Sequence, residues 1–202
     1  SLVDLRHELT TLLIAGNDTT ALSLSWALYE LAQPKNKSIQ EEVFEEVRSI
    51  LQKGQIATGS LITQMPKLKK FTDEALRLYP AVWLYTRQAK EDDNICGVPV
   101  KKGTTVLLAP YFLHRHPDYW KTPDLFDLNR KNDEDRFRFS PFAHGPRGCA
   151  GKWLAYMELY MILASLINHY QFTSEKEDQV KPKALLNLYP SKNIYLKATI
   201  RD

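Results

Sequence analysis

Only two cysteines, Cys96 and Cys149, occur in 202 residues, and neither belongs to a C-x-x-C pair. That excludes a disulfide scaffold and points to a reducing compartment, cytoplasmic or facing the cytoplasm. A single Cys96–Cys149 bridge is left open. Long apolar runs are also missing, so no segment is long enough to span a bilayer. No secretory leader opens the chain, because Ser1-Leu2-Val3-Asp4-Leu5-Arg6-His7-Glu8 is charged and already helical in pattern. Starting in mid-pattern without Met, the chain reads as a piece of a longer protein, so the lack of an anchor says nothing of the parent. G-x-G-x-x-G is absent, and with it a nucleotide-binding loop. Charge of one sign is lacking too: 27 basic and 24 acidic residues leave a net charge of +3, with acids and bases interleaved. This argues against nucleic acid as a partner. Of the histidines, His7, His114, His116, His144 and His169, only His114 and His116 lie close together, and that pair reads as surface.

What remains is an ordinary globular composition, 44% apolar and 25% charged, long enough for a sizeable core. Residues 2–31 carry leucines at helical spacing, interrupted by the poor helix formers Ala15-Gly16-Asn17-Asp18-Thr19-Thr20. That polar insert suggests a helix break or a local widening, with Gly16 open to close approach by another group. A second helix is expected over 39–51, capped by Ser38 with Glu41 completing a capping box. Pro66 opens a third, over 67–78, which Tyr79-Pro80 stops. Its Glu74 and Arg77 share a face at i, i+3, and as an exposed pair would contribute only a few tenths of a kcal/mol, roughly.

The pattern turns to β from about residue 82. Residues 82–87 read as a strand, and 94–100 pairs with 104–108 around Lys101-Lys102-Gly103 as a hairpin. A short helix or turn follows over 111–120, then an aperiodic stretch, 121–140, long enough to need a reason. Residues 151–169 read as a strong amphipathic helix. The alternating tail, 194–200, is expected to pair with 185–188. The sum is a mainly α chain with small β-sheets.

One stretch stands out: Phe142-Ala143-His144-Gly145-Pro146-Arg147-Gly148-Cys149-Ala150-Gly151, a cysteine in a glycine-rich turn that enters a helix. The free N–H groups of a helix start stabilise a thiolate, which suits a metal ligand. A lone cysteine is more often a small core residue, and only its company overturns that reading.

With these motifs in order, the chain resembles the cytochrome P450 family of haem-thiolate monooxygenases over its C-terminal half. Ala15-Gly16-Asn17-Asp18-Thr19-Thr20 resembles the family's oxygen-activation segment and Glu74 to Arg77 its E-x-x-R helix. Phe126-Asp127-Leu128-Asn129-Arg130 is similar to its arginine segment. Phe142, Gly145, Arg147, Cys149 and Gly151 fill every fixed position of the haem loop F-x-x-G-x-R-x-C-x-G. The departure is at the usual P-E-R-F, which stands here as Leu128-Asn129-Arg130-Lys131. Arg136, in Glu134-Asp135-Arg136-Phe137, is an alternative to the preferred Arg130.

The resemblance implies one partial domain, 1–202: a helical core over 1–80, β-structure and the family's meander over 81–140, the haem loop and its helix over 141–170, and a β region over 171–202. It implies haem b as cofactor, with Cys149 as the iron ligand. Gly145, Gly148 and Gly151 would give close backbone approach, with N–H groups aimed at the sulfur, and Phe142 would pack on the same side. Arg147 and Arg87 would pair with propionates, and Ala15 would line the cofactor. Asp18 and Thr19 would relay protons during oxygen activation. Glu74, Arg77 and Arg130 would form a structural ion network. His144 would be filler inside the loop. Ile14, Ala15, Val82, Trp83, Leu84 and residues 186–189, Leu188 among them, would line the substrate pocket. Partners would be O2, a lipophilic and fatty-acid-like substrate, an electron donor (ferredoxin or flavin reductase) and the family's N-terminal half. The alternative is a haem-free, truncated domain of the same family that acts as a structural or binding piece without catalysis.

Overall fold

Thirty consecutive residues, Leu2–Leu31, form α1 without interruption in the computed structural model, which describes residues 1–130, 137–174 and 179–201. The expected break at 15–20 does not occur. The hydroxyls that would disturb the helix turn back onto it: Thr19 Oγ1 donates to the Ala15 carbonyl at 2.8 Å and Ser23 Oγ to that of Thr19 at 2.9 Å. Ser1 and Asp4 close a capping box at the start. Only the second half of α1 is buried, through Leu22, Trp26, Ala27 and Leu31. Leu5, Leu9, Leu12, Leu13 and Ile14 of the first half are exposed.

The next helix is α2 (Lys37–Ile50), entered through a 3₁₀ turn at Pro34–Asn36. The Ser38–Glu41 box is not formed. Asn36 occupies the cap position and its side chain donates instead to Glu30, while Glu41 pairs with Arg201 at 2.8 Å. After the single turn α3 (Gly59–Ile62) comes α4 (Pro66–Leu78), with Pro66 at its first position where no N–H is needed. Leu68, Phe71, Ala75 and Leu78 recur at helical spacing on α4 and meet Val43 and Val47 of α2, Ala27 and Leu31 of α1, and Leu163, Ala164 and Ile167 further on in one core.

The β region has a different pairing from the one expected. Strand β1 (Tyr85–Gln88) starts three residues late. Strands β2 (Asp93–Ile95) and β3 (Val98–Val100) form the hairpin with each other, and β4 (Thr105–Leu108) pairs antiparallel with β1. The reason is the turn. Cys96 and Gly97 both hold positive φ, 51° and 85°, which fits a two-residue hairpin loop. Gly103, at φ 85°, then sends the chain back so that its N–H reaches the Ala89 carbonyl. A short α5 (Pro110–Leu113) follows, and no regular element lies among the described residues of 121–140.

The last helix, α6 (Lys152–His169), runs directly into β5 (Tyr170–Thr173). Strands β6 (Pro182–Ala184) and β7 (Leu188–Pro190) pair with each other, and β8 (Lys197–Ile200) pairs with β5, not with 185–188. Phe172 is buried on β5, and Ser174 N–H bonds the Ala32 carbonyl, so β5 is fixed to the core and offers β8 its edge. Both cysteines are free and exposed, which removes the Cys96–Cys149 bridge.

Candidate functional site

Glu74 and Arg77 are no surface pair. Their side chains are 1% and 0% exposed. Arg77 Nε donates to Glu74 Oε2 at 2.7 Å and Nη2 to Oε1 at 2.9 Å, while Nη1 reaches the carbonyls of His114 and Pro123, each at 2.7 Å. Arg130 Nε joins the same carboxylate at 2.8 Å and its other nitrogens hold the carbonyls of Lys121, Thr122 and Leu125. One carboxylate and two guanidinium groups thus satisfy the main chain of an irregular stretch that has no ladder of its own. Arg136 lies outside the described residues.

This network reaches the cysteine loop through His114. Read as surface from its spacing, His114 is fully buried. Its Nε2 accepts the N–H of Ser140 at 2.8 Å, which leaves Nδ1–H to donate to the Arg77 carbonyl at 3.0 Å. Burial pushes its pKa down from 6.5 to about 3. Ser140 then accepts the N–H of Ala143, and the Phe142 carbonyl accepts the N–H of Cys149 at 2.9 Å. Phe142 also packs on Tyr156 of α6, with ring centroids 5.0 Å apart. The Tyr156 hydroxyl donates to Asp73 of α4 at 2.9 Å. Burial holds that phenol well above its ordinary pKa. The loop is therefore braced from α4 on two sides.

Within the loop the glycines have distinct reasons. Gly145 sits at φ 79°, and a Cβ at Gly148 would meet the Gly145 carbonyl oxygen at 3.2 Å. At Gly151 a Cβ would lie 4.0 Å from Cys149 Sγ, ordinary contact. The Cys149 N–H is spent on Phe142, so it does not point to its own sulfur. Arg147 is exposed, and Arg87 lies over the Tyr85 ring at 4.9 Å with one nitrogen on the Thr86 carbonyl. His144 meets Phe137 edge-on at 5.4 Å.

A second cluster forms around Asp18. Its Oδ2 accepts from Asn187 Nδ2 and from the Tyr189 hydroxyl, both at 2.6 Å. Trp83, expected near the pocket, donates its indole N–H to the Leu185 carbonyl at 2.8 Å. Ile14 and Val82 are exposed, as is Ala15, whereas Leu84 is half-buried. Leu188 is different: at 2% exposure it is a core residue, and its carbonyl accepts the Trp26 indole N–H at 2.9 Å. The residues on either side of it, Asn187 and Tyr189, reach Asp18. Gly16 has open space above it, with no atom within 4 Å of a would-be Cβ. Asn187 and Tyr189 went unnoticed as partners of Asp18. Polar residues two apart around Leu188 were the available signal.

The cytochrome P450 family model matches residues 1–198. The chain belongs to the cytochrome P450 family. It is 34% identical to cytochrome P450 4V2 of Pongo abelii over 98% of its own length and 39% of that P450's. It is equally similar, at 34%, to a probable cytochrome P450 4s3 of Drosophila melanogaster, over 98% of the chain and 39% of the relative. Cytochrome P450 3A6 of Oryctolagus cuniculus is also 34% identical, over 95% and 39%. The chain thus spans about two-fifths of the length of the curated P450s it matches. The mostly helical fold with small antiparallel sheets agrees with that membership.

The residues present fit a haem. Cys149 is exposed, and its sulfur has no hydrogen-bond partner among the described residues. No group of three His, Cys, Asp or Glu able to hold a bare metal ion occurs among them. A single open thiol suits an iron that brings its other ligands in a macrocycle. Trp153 and Leu154, in the first turn of α6, are apolar and exposed.

Proposed function

We propose that the protein supplies the haem-thiolate portion of a monooxygenase that inserts one atom of O2 into a lipophilic, fatty-acid-like substrate. Electrons would come from a ferredoxin or flavin reductase. The observation that carries the reading is the open Cys149 sulfur in a loop braced from α4 through His114 and Tyr156.

Cys149 would hold haem, which would supply oxygen activation, and thiolate ligation favours O–O cleavage. Arg147 and Arg87 would neutralise its propionates. Asp18 and Thr19 would hand on protons from water. The Thr19 hydroxyl is bonded to the Ala15 carbonyl, a bond it can exchange for one to a substrate-side acceptor by rotating about χ1. Ile14, one turn from Asp18 on α1, and the exposed Leu185 and Leu186 would give an alkyl chain an apolar wall.

The test uses the haem-loaded protein with a chemical or enzymatic electron source, lauric acid and oxygen-18 gas. One labelled atom per hydroxylated product is expected, with Thr19→Ala diverting electrons to peroxide. Product labelled only from water, or none at all, would refute the reading.

A further inference from the structure

The polar partners of Asp18 come from the far end of the chain. Asn187 just precedes β7 and Tyr189 lies on it, and both side chains reach Asp18 of α1. Both donate to the same oxygen, Oδ2, at 2.6 Å, and the Tyr189 bond lies in the range of charge-assisted O–H···O⁻ bonds. Oδ1 has no hydrogen-bond partner among the described residues. Asn187 is 8% exposed, so its amide has no ready substitute partner in water. Donation to Asp18 also raises the Tyr189 phenol above its usual pKa.

The hairpin that carries these donors is itself held fast. Leu188 N–H bonds the Ala81 carbonyl at 2.9 Å and Leu188 O takes the Trp26 indole. Trp83 holds the Leu185 carbonyl. At its tip stands Leu186, 85% exposed. A carboxylate on a helix has several staggered rotamers open to it, and this fixed platform selects one.

We propose that Asn187 and Tyr189 are positioning residues for Asp18. They pin Oδ2 and leave Oδ1 as the oxygen that takes a proton from water and releases it again. They also tie that orientation to the hairpin whose apolar tip would meet the substrate. The inference rests on the relay role of Asp18 in the proposed function.

Two readouts test it, with Tyr189→Phe and Asn187→Ser as variants that remove a donor and little else. The first needs no turnover. The carboxylate infrared band of Asp18, assigned by its loss in Asp18→Asn, should shift in each variant, and an unmoved band in both overturns the proposal. The second is product formed per electron consumed by the haem-loaded protein. Each variant should lower it severalfold, with no further fall when combined with Asp18→Asn, and equal coupling in wild type and variants overturns the proposal. A wild-type protein that forms no oxygenated product refutes the monooxygenase reading instead. The clamp is then decided by the infrared shift.

Discussion

Acidification probes the bracket that holds the cysteine loop. His114 is fully buried and uses both ring nitrogens in its neutral form, one on the Arg77 carbonyl and one on the Ser140 N–H. Burial is the main cause of its fall from 6.5 to about 3, with the charges of Arg77 and Arg115 acting the same way and the bond to Arg77 opposing them. In the unfolded chain the ring takes its proton near 6.5. Between that pH and about 3 the unfolded chain therefore binds more protons than the folded one. Stability is complete above the unfolded value and is lost as pH falls through this window. From pH 8 to pH 5 the loss through His114 is about 2 kcal/mol, a sizeable part of a typical domain's stability of roughly 5–15 kcal/mol. Urea unfolding followed by tryptophan fluorescence at the two pH values gives the number, with His114→Gln as control. Gln keeps a donor and an acceptor but cannot take the proton, and the other histidines cancel in the comparison. Wild type should lose about 2 kcal/mol more than the variant. Equal losses would refute the buried neutral bracket.

Arg77→Leu, which leaves Glu74 buried and uncompensated by its closest partner, should cost about 3–5 kcal/mol in the same unfolding assay. Gly145→Ala, at φ 79°, should cost roughly 1–2 kcal/mol, whereas Gly16→Ala, in a helix with open space, should be neutral or stabilise by up to about 1 kcal/mol. Tyr156→Phe should lower the unfolding midpoint by the equivalent of about 1.5–3 kcal/mol, because it removes a hydroxyl bond to the Asp73 carboxylate.

Helices were legible because apolar spacing and Pro66 act locally, and α4 and α6 lie close to where spacing placed them. Strand partners were not. The pairing of β1 with β4 depends on positive φ at Cys96, which side-chain pattern does not reveal, and the pairing of β8 with β5 depends on a core contact made by Phe172. Polar residues were misjudged where tertiary contacts bury them. Glu74, Arg77 and His114 look like surface in any local window, yet each satisfies main-chain groups among the described residues of 114–140. In the site, the motif around Cys149 was readable because positive φ at Gly145 and close packing at Gly148 restrict residue type. The resemblance placed residues 186–189 at the pocket, but the pairing of Asn187 and Tyr189 with Asp18 was not readable, because Asp18 lies some 170 positions away in sequence.

The most direct measurement concerns Cys149 itself: the absorption spectrum of the reduced, carbon monoxide-bound protein after loading with haem, for wild type and Cys149→Ser. A thiolate-type Soret band in wild type that is lost in the variant is the expected result. The same band position in both proteins would show that another group holds the iron, and would contradict the assignment of Cys149 as its ligand.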